Sequence, residues 1–291
     1  MKKKIVCTLL TAALLAAMTA CGGSTQPAQT TAPAEEAAAE EEAADAEEPA
    51  AEETAEAAPS GEEITGDGVA TPGVLVMATN AEFPPYEFHE GNEIVGIDAE
   101  IAAAIAEKMG CTLEIEDIAF DSIIAEVSSG KADMGLAGMT VTEDRKQNVD
   151  FSETYAHSSQ VIIVPEGSEI TSVDALAGLT VGVQTGTTGD LYASDDDTIG
   201  SIERYAKGME AVMALQQTKV DAVIIDRATA QAFLAEVDGL TIVDESYTDE
   251  DYAAAIRKGN QALLDNVNKA LAELKADGTL DAIVAKYITA E

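Results

Sequence analysis

Arginine is scarce in this chain, and one of its four copies closes a short polar stretch: AGMTVTEDR, residues 137–145, ends on Arg145. A guanidinium is a planar fork of N–H donors that meets a carboxylate with two bonds, a geometry a lysine ammonium does not reproduce. Glu143 and Asp144 stand beside it, so the residues alone leave two roles open: a grip on an anionic ligand, or an ion pair on a helix surface. Asp226, between VDAVII and RATAQAFL, is ambiguous in the same way. It is a counter-charge for a cation, the N-cap of the following helix, or both. Catalysis finds less material. His89 lies in the polar turn FHEGNE and His157 lies elsewhere, and neither forms a nucleophile–base pair or a metal-ligand cluster with its neighbours. The expectation is recognition of a small polar group, without enzyme activity, metal or cofactor.

These residues follow apolar, β-branched runs. Strand-like segments recur at 73–79, 111–120, 132–138, 160–165, 179–185, 220–226 and 251–256, with helix-like segments at 97–110, 208–219, 227–239 and 260–278. The first helix places Ile101, Ala104, Ile105 and Met109 on one face, with Asp98 read as its cap and Gly110 as its stop; the last carries Leu263, Val267, Leu271 and Leu274 as a stripe. Alternation of this length predicts an α/β fold with mainly parallel sheets. Such sheets bind ligands beyond the carboxyl ends of their strands. NAEFPPYEF, MTVTEDR, TGTTGD and DRA each follow a strand, bringing polar groups and free backbone amides to that edge.

Charge and the N-terminus bound the partners. The chain has 54 acids against 16 bases, a formal charge of −38. That argues against nucleic acid or an anionic membrane face as an electrostatic partner, and any bound anion must be held by local geometry against the overall field. Lys2, Lys3 and Lys4, an apolar run from Ile5 to Ala17 and then MTAC read as a signal peptide over residues 1–20. MTAC followed by Gly22, Gly23 and Ser24 resembles a bacterial lipobox, with Met18 where Leu is usual. This implies cleavage before Cys21, lipidation of its thiol and anchoring at the extracytoplasmic face of the cell membrane. Losing three lysines takes the charge to −41. Residues 21–71, rich in Ala and Glu and without Lys, Arg or aromatics, read as a disordered acidic tether. With Cys7 removed and Cys21 lipidated, Cys111 has no disulfide partner and reads as a small buried hydrophobe.

Four motifs in register, ATNAEFPPYEF…IVGIDAEIAAAIAEKMG, FDSIIAEVSSGKADMGLAGMTVTEDRKQNVDFSETY, VGVQTGTTG and KVDAVIID, resemble the bacterial extracellular solute-binding proteins of family 3, the amino-acid receptors of ABC importers. The resemblance spans nearly all of 72–291. It implies a two-lobed periplasmic-binding-protein fold (type II), each lobe a mainly parallel sheet flanked by helices, with two hinge crossovers. Lobe 1 is expected at 72–156 plus 252–291 and lobe 2 at 157–251. Residue by residue, Arg145 matches the arginine that grips the ligand α-carboxylate. Thr140 matches the residue giving its N–H to that carboxylate and its hydroxyl to the ammonium, and Gly138, beside Ala137, the one offering a carbonyl to the ammonium. Thr188, at the start of a lobe-2 helix, would add an N–H and the helix dipole. Asp226 matches the acid that pairs with the ammonium. Phe83 and Phe120 match rings that flank the ligand side chain, the alternative for Phe120 being a core aromatic.

The side-chain pocket departs from some relatives. Asn80 stands where receptors for basic amino acids usually have Asp, Gln184 is placed to face the ligand's end group, and Ile225 precedes Asp226. Two amides and an aliphatic favour a glutamine-like ligand; arginine or cystine stays open because Glu82 adds a charge nearby. The implied partners are a free amino acid and a membrane permease, with the receptor itself a monomer. Two other classes compete. A dehydratase-like enzyme on the same fold requires an acid or base in the cleft, and a sensory receptor requires a separate signalling partner.

Overall fold

The computed structural model describes residues 63–288; the expected signal peptide, the lipid site at Cys21 and most of the tether lie outside the described residues. The chain runs β1 (Val74–Thr79), a small antiparallel sheet of β2 (Glu82–Phe83), β3 (Glu87–Glu90) and β4 (Glu93–Val95), α1 (Ile97–Lys108), β5 (Thr112–Asp117), α2 (Ile123–Ser129), β6 (Met134–Gly135), α3 (Glu143–Lys146) and the long β7 (Val149–Pro165). It continues through β8 (Thr180–Gln184), α4 (Thr188–Asp195), β9 (Ser201–Tyr205), α5 (Gly208–Gln216), β10 (Ala222–Asp226), α6 (Arg227–Leu234), the long β11 (Leu240–Arg257), α7 (Gln261–Ala276) and α8 (Thr279–Tyr287).

The main sheet has the order β5-β1-β6-β11-β7-β10-β8-β9. Both wings are parallel, β5, β1 and β6 on one side and β10, β8 and β9 on the other. The centre is an antiparallel pair, β7 with β11, running from Leu240↔Pro165 to Arg257↔Val149. One end of that pair meets β6 and the other meets β10, so two long strands join two α/β lobes. The register shifts several times along β11, between Ile242 and Ala255; such bulges bend a strand.

Burial follows the expected patterns. The Leu263, Val267, Leu271 and Leu274 stripe of α7 is buried, as are Ile101, Ile105 and Met109 of the first helix. Three expectations are corrected. Asp98 does not cap α1: Gly96 holds the N-cap position, and Asp98 lies inside the first turn, fully buried. The strand expected at 111–120 stops at Asp117, and Phe120 opens a 3-10 turn. The end of the tether is docked rather than solvated. Thr65 N–H donates to Asn266 Oδ1 at 3.0 Å, Ala70 N–H to Asp133 Oδ1 at 2.7 Å, and Asn260 Nδ2 to the Gly68 carbonyl at 2.8 Å. Ile64 and Val69 pack against the core. They are the apolar side chains that the preceding Ala/Glu tract lacks, and they offset the entropy of ordering this segment.

Candidate functional site

The cavity of interest lies at the carboxyl ends of the strands, as parallel sheets require. Its own lining nearly fills it, leaving a free volume of about 20 Å³, room for about one water molecule. Asn80 follows β1; Ala137, Gly138 and Thr140 follow β6; Gln184 ends β8, with Thr187 and Thr188 at the start of α4. Phe83 and Phe120 enter from β2 and from the turn after β5, Arg145 from α3, and Gln160 and Tyr252 from the two long strands.

Arg145 reaches the wall because its helix is a single short turn. Thr142 caps that turn, its Oγ1 accepting the Arg145 N–H at 3.2 Å. The side chain is 8% exposed. Its Nη1 donates to the Thr140 carbonyl at 2.7 Å and its Nη2 to the Gly186 carbonyl, from the other lobe, at 3.2 Å. Its guanidinium lies over the Phe120 ring, 5.4 Å from the centroid. Burial lowers its pKa, partly opposed by the charge of Glu250. The adjacent acids are engaged elsewhere: Glu143 pairs with Lys146 at 2.9 Å and Asp144 accepts from Gln147 at 3.2 Å. A surface ion pair is therefore not what Arg145 makes. A guanidinium has five N–H groups, so donors remain beyond the two bonds named.

Opposite Arg145, the N-terminus of α4 brings the Thr188 backbone and hydroxyl to the wall. Thr187 caps this helix through Asp190 N–H at 3.3 Å, and the hydroxyls of Thr140 and Thr188 lie 3.5 Å apart across the cleft. Gly138 has φ +50, and a Cβ there would stand 3.1 Å from the Phe83 ring and 3.4 Å from Tyr252. The position needs glycine for both its backbone and its crowding. Asn80 and Gln184 bond to each other: Gln184 Nε2 donates to Asn80 Oδ1 at 2.9 Å, while Asn80 Nδ2 donates to the Ile118 carbonyl at 2.9 Å. At the rim, Glu82 of one lobe pairs with Lys207 of the other.

Of the residues expected at the site, Asn80, Phe83, Phe120, Ala137, Gly138, Thr140, Arg145, Gln184 and Thr188 line this one cavity. Asp226 does not. It is fully buried behind Tyr252, whose hydroxyl donates to its Oδ2 at 2.9 Å; Ser158 donates to the same oxygen, and Oδ1 caps α6 through Thr229 N–H at 2.8 Å. Burial raises the Asp226 pKa against the pull of these donors. Neither His89, paired with Asp117, nor His157, paired with Asp251, lines the cavity. Gln160, Thr187 and Tyr252 line it unforeseen. The available signal was a polar residue at the head of the apolar run QVIIVP, and a tyrosine in an otherwise alanine-filled DYAAAI. Among the described residues lining the cavity, Arg145 is the one charged group; Glu250 stands behind Gln160, whose Nε2 donates to it at 2.9 Å.

Two parallel-winged lobes joined by a pair of shared strands, with a polar cavity at the strand ends, define a two-lobed α/β binding protein. Residues 75–290 match the bacterial extracellular solute-binding proteins, family 3, and the chain belongs to that family. It is 35% identical over 222 residues to the arginine-binding extracellular protein ArtP of Bacillus subtilis (strain 168), covering 75% of this chain and 87% of that one. Among solved structures, an ancestral arginine-binding protein bound to arginine superposes with a TM-score of 0.72 at 41% identity, covering 74% of this chain and 98% of that one. An ancestral arginine-binding protein bound to glutamine gives 0.72 at 40% identity, covering 76% and 100%.

Proposed function

We propose that this protein is the non-catalytic receptor of an ABC importer, capturing a polar L-α-amino acid between its lobes and handing it to a membrane permease. The observation that carries this reading is Arg145, a buried cation on the wall of an otherwise uncharged cavity, facing the N-terminus of α4. A carboxylate placed there meets the guanidinium fork, the amides of Thr140 and Thr188, and the positive end of a helix dipole. The ammonium faces the Gly138 carbonyl and the Thr140 hydroxyl, while Asp226 stays behind Tyr252 and bonded to it. The side chain runs between Phe83 and Phe120 toward the amides of Asn80 and Gln184. The receptor acts as a monomer, held at the extracytoplasmic face of the cell membrane by a lipid on Cys21; intact-mass spectrometry of the membrane-extracted protein tests that anchor.

For the side chain, the favoured ligand ends in a neutral amide, because amides line the cavity and a guanidinium buried without a carboxylate contact costs several kcal/mol. Arginine is the second reading, favoured by the relatives described as arginine-binding and by ancestral arginine-binding proteins solved with either arginine or glutamine. Calorimetric titration of the full chain against the common amino acids and cystine separates them. Glutamine binding more tightly than arginine supports the first reading, and the reverse order replaces it with the second. Binding of none of them overturns the receptor assignment.

A further inference from the structure

Glu87 at the start of β3 and Asp98 in the first turn of α1 are both fully buried. Gly96 presses the two segments together: its φ is 124, and a Cβ there would stand 2.3 Å from the Tyr86 carbonyl oxygen. The Asp98 N–H then donates to that carbonyl at 2.8 Å, which sets the two buried carboxyls near enough for each to shift the other's protonation. Asp98 Oδ2 already accepts the Gly138 N–H at 2.7 Å and the Tyr155 hydroxyl at 2.7 Å. Its Oδ1 and both oxygens of Glu87 have no hydrogen-bond partner among the described residues, an arrangement that one proton on the pair would relieve. Two touching carboxylates in a dry interior do not both ionise, and a buried carboxylate without donors is not tolerated.

We propose that Glu87 and Asp98 share one proton, carried by Glu87 and donated to Oδ1 of ionised Asp98, and that this pair positions the ligand site by fixing the Gly138 peptide. Asp117 from β5 and Asp226 from β10 face the pair and oppose a second negative charge, and Tyr86 and Tyr155 present phenols to it. Burial holds the Glu87 carboxyl well above the usual range, with Asp98 adding to the shift. Burial also pushes Asp98 up to about 6, against the pull of the Gly138 N–H and the Tyr155 hydroxyl. The proton thus sits on Glu87 at neutral pH, and the charge of Asp98 is directed at the Gly138 amide. Gly138 lines the cavity, and the functional half of this inference rests on the proposed receptor role, in which its carbonyl meets the ammonium.

The test has two arms, both on the full chain. Infrared spectroscopy at neutral pH should show the C=O stretch of a protonated carboxyl in the wild type, lost in Glu87→Gln, whose amide donates to Asp98 in the acid's place. No such band in the wild type, or a band that survives in Glu87→Gln, overturns the shared proton. In the second arm, L-glutamine and L-arginine are titrated at about pH 7. Glu87→Ala should weaken binding about tenfold, and Glu87→Gln should restore it to within about threefold. Unchanged affinity in Glu87→Ala, or equal weakening in Glu87→Ala and Glu87→Gln, overturns the coupling to the site. The infrared arm involves no ligand, so a failure of the receptor reading leaves the proton assignment separately decided.

Discussion

Removing the Arg145 guanidinium separates binding from folding, and its two effects have different sizes. In Arg145→Ala, the ligand carboxylate loses a charged, two-bond partner in a cleft where no other cation lines the wall among the described residues. Truncating one member of a buried, hydrogen-bonded charge pair costs about 2–5 kcal/mol, or roughly 30-fold to several thousand-fold in Kd. Folding is nearer to balance. The variant gives up two charge-assisted bonds, to Thr140 at 2.7 Å and Gly186 at 3.2 Å, and a contact with the Phe120 ring at 5.4 Å. Those are worth about 3–6 kcal/mol and about 0.5–1 kcal/mol, but the variant also escapes the several kcal/mol of desolvation carried by a buried cation. The net change is expected below about 2 kcal/mol, a shift of a few degrees in Tm for a body of this size. Arg145→Lys keeps the charge and loses the fork, so its affinity should fall between those of wild type and Arg145→Ala. Calorimetry with the tightest-binding amino acid, alongside thermal melts, reads both effects. If Arg145→Ala binds within about threefold of wild type, the carboxylate does not sit at this residue and the receptor geometry is wrong.

Three further outcomes follow from other parts of the molecule. Asn80→Asp places a carboxylate beside Gln184, whose amide nitrogen lies 2.9 Å from Asn80 Oδ1; the ratio of arginine to glutamine affinity should rise at least about tenfold, and an unchanged ratio would move the ligand's end group away from Asn80. Gly138→Ala forces a side chain onto φ +50 with its Cβ 3.1 Å from Phe83, so chemical denaturation should show a loss of about 1–3 kcal/mol, and an unshifted midpoint contradicts the crowding. Stability should also fall as pH rises from about 5 to about 8: Asp98 is raised to about 6 and Glu87 well above the usual range, both by burial, so the folded chain holds protons that the unfolded chain has released. This contribution is complete below about pH 4 and declines by about 1.4 kcal/mol per pH unit for each retained proton until the folded carboxyl ionises. Melts that show a flat or rising Tm across that window would refute it, and Glu87→Gln should flatten the slope.

The parallel strands were legible because their side chains are apolar on both faces, as in VLVMAT and AVIID, and α7 because Leu263, Val267, Leu271 and Leu274 repeat at helical spacing. The two shared strands were half hidden. QVIIVP and DYAAAI read as strands, while VDFSETYAHSS and LTIVDESYTDE are too polar to announce 17- and 18-residue elements. Their polarity reflects exposure in the crossing region and, at Gln160 and Tyr252, contact with the cavity. Asp98 misled for a related reason. An acid ahead of an apolar run is the local signature of a cap, but its partners, Gly138 and Tyr155, lie 40 and 57 residues away, beyond any local rule. Asp226 was placed correctly at a strand end, yet Tyr252, which stands between it and the cavity, comes from a strand whose pairing no single segment reveals.

The unforeseen residues change how closure of the lobes is understood. Among the described residues, the polar contacts that cross the cleft include Arg145 to Gly186, Gln184 to Asn80, Thr140 to Thr188 and Lys207 to Glu82, beside the packing of Gly186 against Asp121. The neutral and exposed ones are each worth about 1 kcal/mol net or less, and the charge-assisted Arg145 bond about 1.5–3 kcal/mol, so together they specify the alignment of the lobes. A ligand that touches both walls adds differential affinity for the joined arrangement, which is what shifts such an equilibrium. Gln160 and Tyr252 belong to β7 and β11 themselves, near where the strands change register, so the cavity wall includes part of the two shared strands. Tyr252 ties the cavity to buried Asp226 and Glu250, at 2.9 and 3.4 Å. The shared strands, the cavity wall and the acids behind it are therefore hydrogen-bonded to one another, and under the proposed receptor role a charge entering the cavity would meet side chains of the two strands that connect the lobes.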